Sequence, residues 1–269
     1  MSEERMTAVP EGPMLAIDTS TAALTMALVD GETALAERTV QAERNHSVRL
    51  LPELDELLRS AGMTPRDLRS IAVGCGPGSY TGVRIGVTMA KTFAWALGLP
   101  VYGVSSLAAL ALGGWRDALA GTASVDAPAW VVPALDARRG QAYTALFAAD
   151  DAEGRALRRL HADAVLPFRE HAAAWLRSAE RPGTVVFVGD VEGGFADMLD
   201  AEAAGSGAVV LRRAWTMSAR DVAAVARQLG AAAFVRDPHA LAPNYAQLAE
   251  AEVKLIEAAA AAAKEREQL

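Results

Sequence analysis

The sequence is short of several things, and each shortage narrows what the chain can be. Its 269 residues include one cysteine, Cys75, so no disulfide can form within the chain and a reducing cytoplasm is the expected setting. Only four histidines occur, His46, His161, His171 and His239; no two stand three or four residues apart beside a carboxylate, so no metal-site spacing is present and none is expected. His161 and His171 read as surface residues. Positive charge is outnumbered, 26 Lys and Arg against 33 Asp and Glu for a net charge of -7, and the basic residues are scattered. Such a chain does not hold a nucleic-acid backbone by itself and reaches RNA only through a basic partner. No uninterrupted apolar run has spanning length, and residues 1–12 are charged and proline-containing, unlike a signal peptide. A soluble protein without membrane contact is expected. With 52% hydrophobic residues there is material for two modest domains or one large one.

What is present is organised around Val73-Gly74-Cys75-Gly76-Pro77-Gly78-Ser79-Tyr80-Thr81-Gly82-Val83-Arg84-Ile85-Gly86, which reads as strand, tight loop and helix. Glycines allow backbone angles that side chains forbid, and Ser79 and Thr81 are available N-caps. A loop of this kind aims N–H groups at an anion, which makes Gly76, Gly78, Ser79, Tyr80 and Thr81 a candidate anion or nucleotide site. The competing reading is a plain strand-to-helix turn, because the stretch lacks the Lys-Ser/Thr ending of a P-loop and the G-x-G-x-x-G order of a dinucleotide site. In the following helix Gly82, Gly86, Ala90 and Ala94 recur every four residues as one smooth stripe, while Val83, Ile85, Val87, Met89, Phe93 and Leu97 fill much of the rest. A helix apolar on more than one side needs two things to pack against, its own sheet and a neighbour.

In chain order, residues 1–12 read as a mobile arm, and 14–18, 22–29 and 32–39 as antiparallel strands. Residues 46–61 form a Leu-rich helix stopped by Gly62, with Pro52 expected to kink it. Thr64 opens a short helix; 70–74 and 100–104 are strands and 105–113 a helix. A linker is expected over 113–128. Then the opening pattern returns: strand 130–135, Asp136, a turn over 137–140 and strand 141–147. Asp18 and Asp136 thus close equivalent strands. Residues 184–188 form another core strand and 218–229 a capped helix, and the Ala/Glu-rich 246–269 reads as a solvent-exposed terminal helix. The expected division is an arm 1–12, an N-terminal lobe 13–115, a C-terminal lobe 116–245 and the terminal helix.

Asp18-Thr19-Ser20, Asn45-His46-Ser47 with Leu50-Leu51-Pro52, the glycine-loop motif from Gly76 to Gly86, and Leu135-Asp136-Ala137-Arg138-Arg139-Gly140 occur in an order that resembles the TsaB (YeaZ) family over about residues 14–245. The resemblance implies an α/β actin-like ATPase fold of two ribonuclease-H-like lobes. It also implies a non-catalytic subunit of the bacterial machinery that makes N6-threonylcarbamoyladenosine at position 37 of ANN-decoding tRNAs, paired with the catalytic subunit TsaD and joined by the ATPase TsaE. The chain itself then binds no cofactor tightly, ATP being used by the complex. TsaD, as a paralogue, carries a Gly-Val-Asn-His-Leu-Glu-Gly-His run whose histidines bind the catalytic metal. Here that run reads Gly103-Val104-Ser105-Ser106-Leu107-Ala108-Ala109-Leu110, with Ser106 and Leu110 at the ligand positions.

Two other classes stay open on the residues alone. An actin-like small-molecule kinase would place a magnesium nucleotide among Asp18, the glycine loop and Asp136, although neither turn carries a second acidic residue. A TsaD-like metalloenzyme or protease would need the two missing histidines. On the scaffold reading, the helices over 46–61 and 80–97 form the TsaD docking surface. The small stripe Gly82, Gly86, Ala90 and Ala94 is expected to face outward beside His46, Leu50, Leu54 and Leu57, and the same face to support a weak homodimer.

Overall fold

Strand β1 (Met14–Asp18) shows how the chain is layered. All five of its residues are buried; Leu15 and Ile17 enter one apolar cluster, Met14 and Ala16 another on the opposite face. A strand covered on both sides cannot alternate apolar with polar residues, which is why it reads as an unbroken apolar run. The computed structural model describes residues 9–42, 45–121, 127–151 and 154–246. Of the expected arm 1–12, residues 1–8 lie outside the described residues, as do 247–269 of the expected terminal helix 246–269; Val9 packs against the core.

After β1 come β2 (Ala23–Asp30), β3 (Thr33–Gln41), α1 (His46–Ser60), β4 (Ser70–Gly74), α2 (Tyr80–Leu97), β5 (Val101–Val104) and α3 (Ser106–Gly121). The second half runs β6 (Ala129–Asp136), β7 (Gln141–Ala149), β8 (Arg158–Pro167), α4 (Phe168–Arg177), β9 (Thr184–Gly189), α5 (Ala196–Ala203), β10 (Val209–Arg213), α6 (Ala219–Leu229) and β11 (Phe234–Val235). One sheet has the order β11-β5-β4-β1-β2-β3 and the other β10-β9-β6-β7-β8. β1 pairs antiparallel with β2 and parallel with β4; β6 pairs antiparallel with β7 and parallel with β9. Apart from β11, which has no counterpart in the second sheet, this is one ribonuclease-H-like plan used twice, and the pair makes the expected actin-like fold.

Helices α1 and α2 cover the outer face of the first sheet, through Leu50, Leu54, Leu57 and Leu58 of α1 against Leu15, Ile17, Leu24, Met26 and Leu28. Helices α4 and α5 cover the outer face of the second, with Phe168, Ala172, Leu176 and Leu199 on Val132, Leu146 and Phe187. Between the sheets lie α3 and α6, whose Leu107, Leu110, Trp115, Val222 and Ala226 share one core with the inner faces of both. Each large apolar side chain buried there stabilises the fold by roughly 1.5–3 kcal/mol.

The inner helices cross over. α3 leaves β5 of the first sheet and packs on β6 and β9 of the second, whereas α6 follows β10 of the second and packs on β1, β2 and β4 of the first. The expected division at 115/116 therefore falls inside α3. The linker expected from Gly113 is also corrected, since Gly113 and Gly114 are buried helical positions. A Cβ on Gly113 would collide with the Asp221 carboxylate and the Trp215 indole nitrogen, and one on Gly114 with Val188. Close packing, not a turn, explains this glycine pair.

Candidate functional site

The glycine loop closes over the first Asp turn. Asp18 is fully buried at the end of β1; its Oδ1 accepts from the Ser20 N–H at 2.7 Å and the Ser20 hydroxyl at 2.6 Å, and its Oδ2 accepts from the Ser106 hydroxyl at 2.6 Å. Burial holds the Asp18 carboxyl above the usual carboxylate range, opposed by the hydrogen bonds from Ser106 and Ser20. Ser106 in turn accepts from the Gly76 N–H at 3.0 Å, and the Thr19 hydroxyl donates to Gly82 O at 2.7 Å. The Ser79 N–H donates to Ser20 O at 2.7 Å. Four glycines make this approach possible, because a Cβ on Gly74 would strike Asp18, on Gly78 Ser20 O, on Gly82 Thr19 O and on Gly86 the Thr19 hydroxyl.

Among the candidate anion-loop residues, then, the amides of Gly76 and Ser79 already serve protein acceptors, and Ser79 caps α2 by accepting from the Gly82 N–H at 3.3 Å. Gly78 and Ser79 border the cleft between the lobes, while Tyr80 and Thr81 lie at the start of α2 on another face. The loop is also covered from outside: the Asn244 N–H donates to Cys75 O at 2.7 Å, and Tyr245 stacks on Tyr80 with ring centroids 4.7 Å apart. Cys75 is half-buried, and burial pushes its thiol up to about 12.

The cleft measures about 1080 Å³ and is lined from the second lobe by Asp136, Arg138, Arg139, Asp190 and Glu192. Asp136 is exposed; its Oδ1 accepts from the Arg138 N–H at 2.7 Å and its own N–H donates to Asp190 at 2.9 Å. The turn brings Arg138 (φ 71°), Arg139 (φ 55°) and Gly140 (φ 75°) into the left-handed region that tightens a hairpin between β6 and β7. The two Asp turns thus share their length and the bond from the N–H two positions on to the Asp Oδ1, but only the second is left-handed, and they are opposite in exposure. Among the described residues no group of three or more His, Cys, Asp or Glu is placed to hold a metal ion. Ser106 and Leu110 are both buried, one bound to Asp18 and the other in the core.

The expected docking stripe faces the wrong way. Gly82, Gly86, Ala90 and Ala94 are all buried, the glycines against Thr19 and the alanines against Ile71, Val73 and Val101 of the sheet. Leu50, Leu54 and Leu57 are likewise core, and His46 is buried at the start of α1. Small residues at four-residue spacing serve here to bring α2 close to its own sheet. What α1 and α2 leave outside is different: Val48, Leu51, Tyr80 and Trp95 are 73%, 57%, 43% and 68% exposed. Between the two helices runs an apolar groove of about 580 Å³ lined by Leu51, Ile85, Thr88, Met89 and Phe93, with Tyr80 and Arg84 at one edge. Leu51 stands next to Leu50 in the sequence but on a different side of the helix. A helical wheel through Leu50, Leu54, Leu57 and Leu58 places it about a quarter-turn outward.

Of the other expected surface residues, His161 is exposed and His171 half-buried, each with its ring 6.1 Å from Trp175. No helix among the described residues is long and apolar enough to cross a membrane.

Comparison with known proteins meets this geometry at several points. The family model of TsaD, tRNA N6-adenosine threonylcarbamoyltransferase, matches residues 39–266. The tRNA threonylcarbamoyladenosine biosynthesis protein TsaB of Bacillus subtilis is 37% identical over 246 residues, 91% of this chain and 98% of that protein. TsaB of Escherichia coli is 38% identical over 138 residues, 51% of this chain and 56% of that protein. The solved structure of YeaZ from Pseudomonas aeruginosa superposes with a TM-score of 0.67 at 27% identity, covering 87% of this chain and 99% of that one. The chain matches TsaB of Bacillus subtilis along nearly the whole length of both proteins, so it belongs to the TsaB (YeaZ) family.

Proposed function

We propose that this chain is a non-catalytic scaffold in the making of threonylcarbamoyladenosine at position 37 of ANN-decoding tRNAs, and that it docks TsaD, and with it TsaE, on the α1–α2 groove. The observation that carries the reading is the concentration of exposed Val48, Leu51, Tyr80 and Trp95 on two neighbouring helices beside an apolar groove. An apolar patch rimmed by polar residues marks an interaction site, and two partner helices laid along α1 and α2 complete a four-helix bundle. A second copy of the chain is the weaker occupant of the same face. The tRNA is reached through the assembly, in keeping with the net charge of -7. The setting is the cytoplasm, where tRNA is modified.

Three features support a supporting role over catalysis. Asp18, the carboxylate that a kinase of this fold would turn toward a magnesium nucleotide, has both oxygens occupied by Ser20 and Ser106 and no exposure. Two of the loop amides that would cradle phosphate, those of Ser79 and Gly76, are spent on Ser20 O and the Ser106 hydroxyl. The positions of the TsaD histidines are filled by a hydroxyl committed to Asp18 and by a core leucine. On this reading the chain holds no nucleotide tightly and the assembly consumes ATP. The test is co-elution with TsaD in size-exclusion chromatography: wild type is expected to co-elute and Leu51→Glu to elute separately at an unchanged melting temperature, and undiminished co-elution of Leu51→Glu contradicts the assignment.

A further inference from the structure

We propose that the cavity between α3 and α6 is a binding site for a compact oxyanion of one or two charges, a carboxylate or inorganic phosphate. The proposal stands apart from the docking reading and uses none of its residues.

The cavity measures about 650 Å³, within the range of small-molecule sites. Of the described residues only Trp215 lines both it and the larger cleft between the lobes. α6 turns one face toward it, with Asp221, Ala224 and Arg227 three residues apart and Arg220 beside them, and α3 contributes Gly113 and Arg116 from the other side. The Asp221 carboxylate and the Trp215 indole nitrogen both pack against α3 at Gly113, where a Cβ would strike them.

What this lining lacks is acceptors. Six buried side-chain nitrogen and oxygen atoms among the described residues have no hydrogen-bond partner, and three of them belong to the cavity's side chains: Trp215 Nε1 and Arg227 Nε and Nη2. All three are N–H donors. Buried donors without acceptors are rare in folded chains, and a group that brings lone pairs is what they need. Nε and Nη2 together form the guanidinium edge that takes a carboxylate or phosphate through two parallel bonds, and a turn of the long Arg227 side chain presents that edge to a ligand. Arg116 and the exposed Arg220 add positive charge from the two helices.

The acids decide how much charge the ligand carries. Asp221 accepts from Arg116 at 3.4 Å, a long bond, and burial pushes its carboxyl up to about 6 against the pull of Arg116 and Arg220, with Glu37 of β3 pushing the same way as burial. An oxyanion arriving beside it raises it further, so that the carboxyl takes a proton and donates to the ligand. Glu32 and Asp117 also line the cavity and keep their charge in the path of a polyphosphate. A compact anion fits where ATP does not.

The test is ¹⁵N–¹H NMR of the full-length chain, with the Trp215 indole resonance assigned by its loss in Trp215→Phe. Titration with sodium phosphate and, separately, with succinate at constant ionic strength is expected to move that resonance to saturation with a Kd of about 1 mM or below for at least one probe. The probe held more tightly identifies the ligand as phosphate or carboxylate; no saturating shift with either up to about 10 mM overturns the proposal. Arg220→Ala is expected to weaken binding about tenfold, and Asp221→Asn, which removes the opposing charge, to tighten it about tenfold. A purely structural role for Asp221 would not tighten binding. Wild-type affinity in both variants, or weaker binding in Asp221→Asn, overturns the site.

Discussion

Asp18 and Asp136 end corresponding strands of the two sheets, and each accepts the N–H of the residue two positions on at 2.7 Å, yet Asp18 is sealed and Asp136 opens into the cleft. The difference arises at the end of the fourth strand of each lobe. In the first, Gly74 admits the Asp18 carboxylate and Ser106 grips it; in the second, the Asp190 side chain reaches back only to the Asp136 N–H.

From this, Asp136→Asn is expected to leave the melting temperature, complex formation and modified-tRNA levels nearly intact. Asp18→Ala leaves buried donors on Ser20 and Ser106 unpaired and is expected to cost ~1–3 kcal/mol. Urea denaturation of the two variants checks both; equal loss in the two would contradict the account.

The small stripe is a packing device, so Gly82→Ala and Gly86→Leu are expected to destabilise the isolated chain by ~1–3 kcal/mol or more, since each new side chain meets Thr19. Denaturant midpoints measured without any partner decide it. Wild-type midpoints for both would return the stripe to the surface.

Asp221 carries a pH dependence. Buried beside Gly113 and 3.4 Å from Arg116, its carboxyl is pushed up to about 6, chiefly by burial and against the pull of Arg116. Below the ordinary carboxylate value both folded and unfolded chains hold the proton and nothing is lost. As pH rises from about 4 to about 6 the unfolded chain ionises first, so this group removes stability, about 3 kcal/mol in all. Asp221→Asn is expected to flatten the wild-type stability profile over that window, in thermal melts stepped across it. An unchanged difference between wild type and variant at every pH would contradict this.

Since the amides of Gly76 and Ser79 are already engaged, calorimetric titration of the isolated chain with ATP is expected to give no saturation below about millimolar concentration. Micromolar affinity for the chain alone would overturn that, and binding only with TsaD present would place a shared site at their junction.

Much of the architecture is legible as pattern. The buried strands β1, β4 and β9 stand out as short apolar runs, and α2 is bracketed by Ser79 and by Gly98 at φ 65°. The repeat of Asp18 in Asp136 points to the second lobe. β8 is hidden because Arg158, Arg159 and His161 are an exposed edge with no apolar alternation, and α6 is visible as a helix but not as one that crosses to the first sheet. Gly113 and Gly114 imitate a linker, and only the positions of Asp221 and Val188 show why glycine is needed. The docking stripe misleads for a related reason: residue size marks a close approach on α2 but not which neighbour approaches.

The claim that the outer groove, and not the glycine stripe, receives the partner is tested most directly by titrating TsaD calorimetrically into Thr88→Trp, which fills the groove, and into Leu229→Glu, on an exposed side chain of α6 away from it. Overpacking by ~1–3 kcal/mol predicts about one to two decades of lost affinity for Thr88→Trp and none for Leu229→Glu, with both melting as wild type. Wild-type affinity in a folded Thr88→Trp chain would contradict the account.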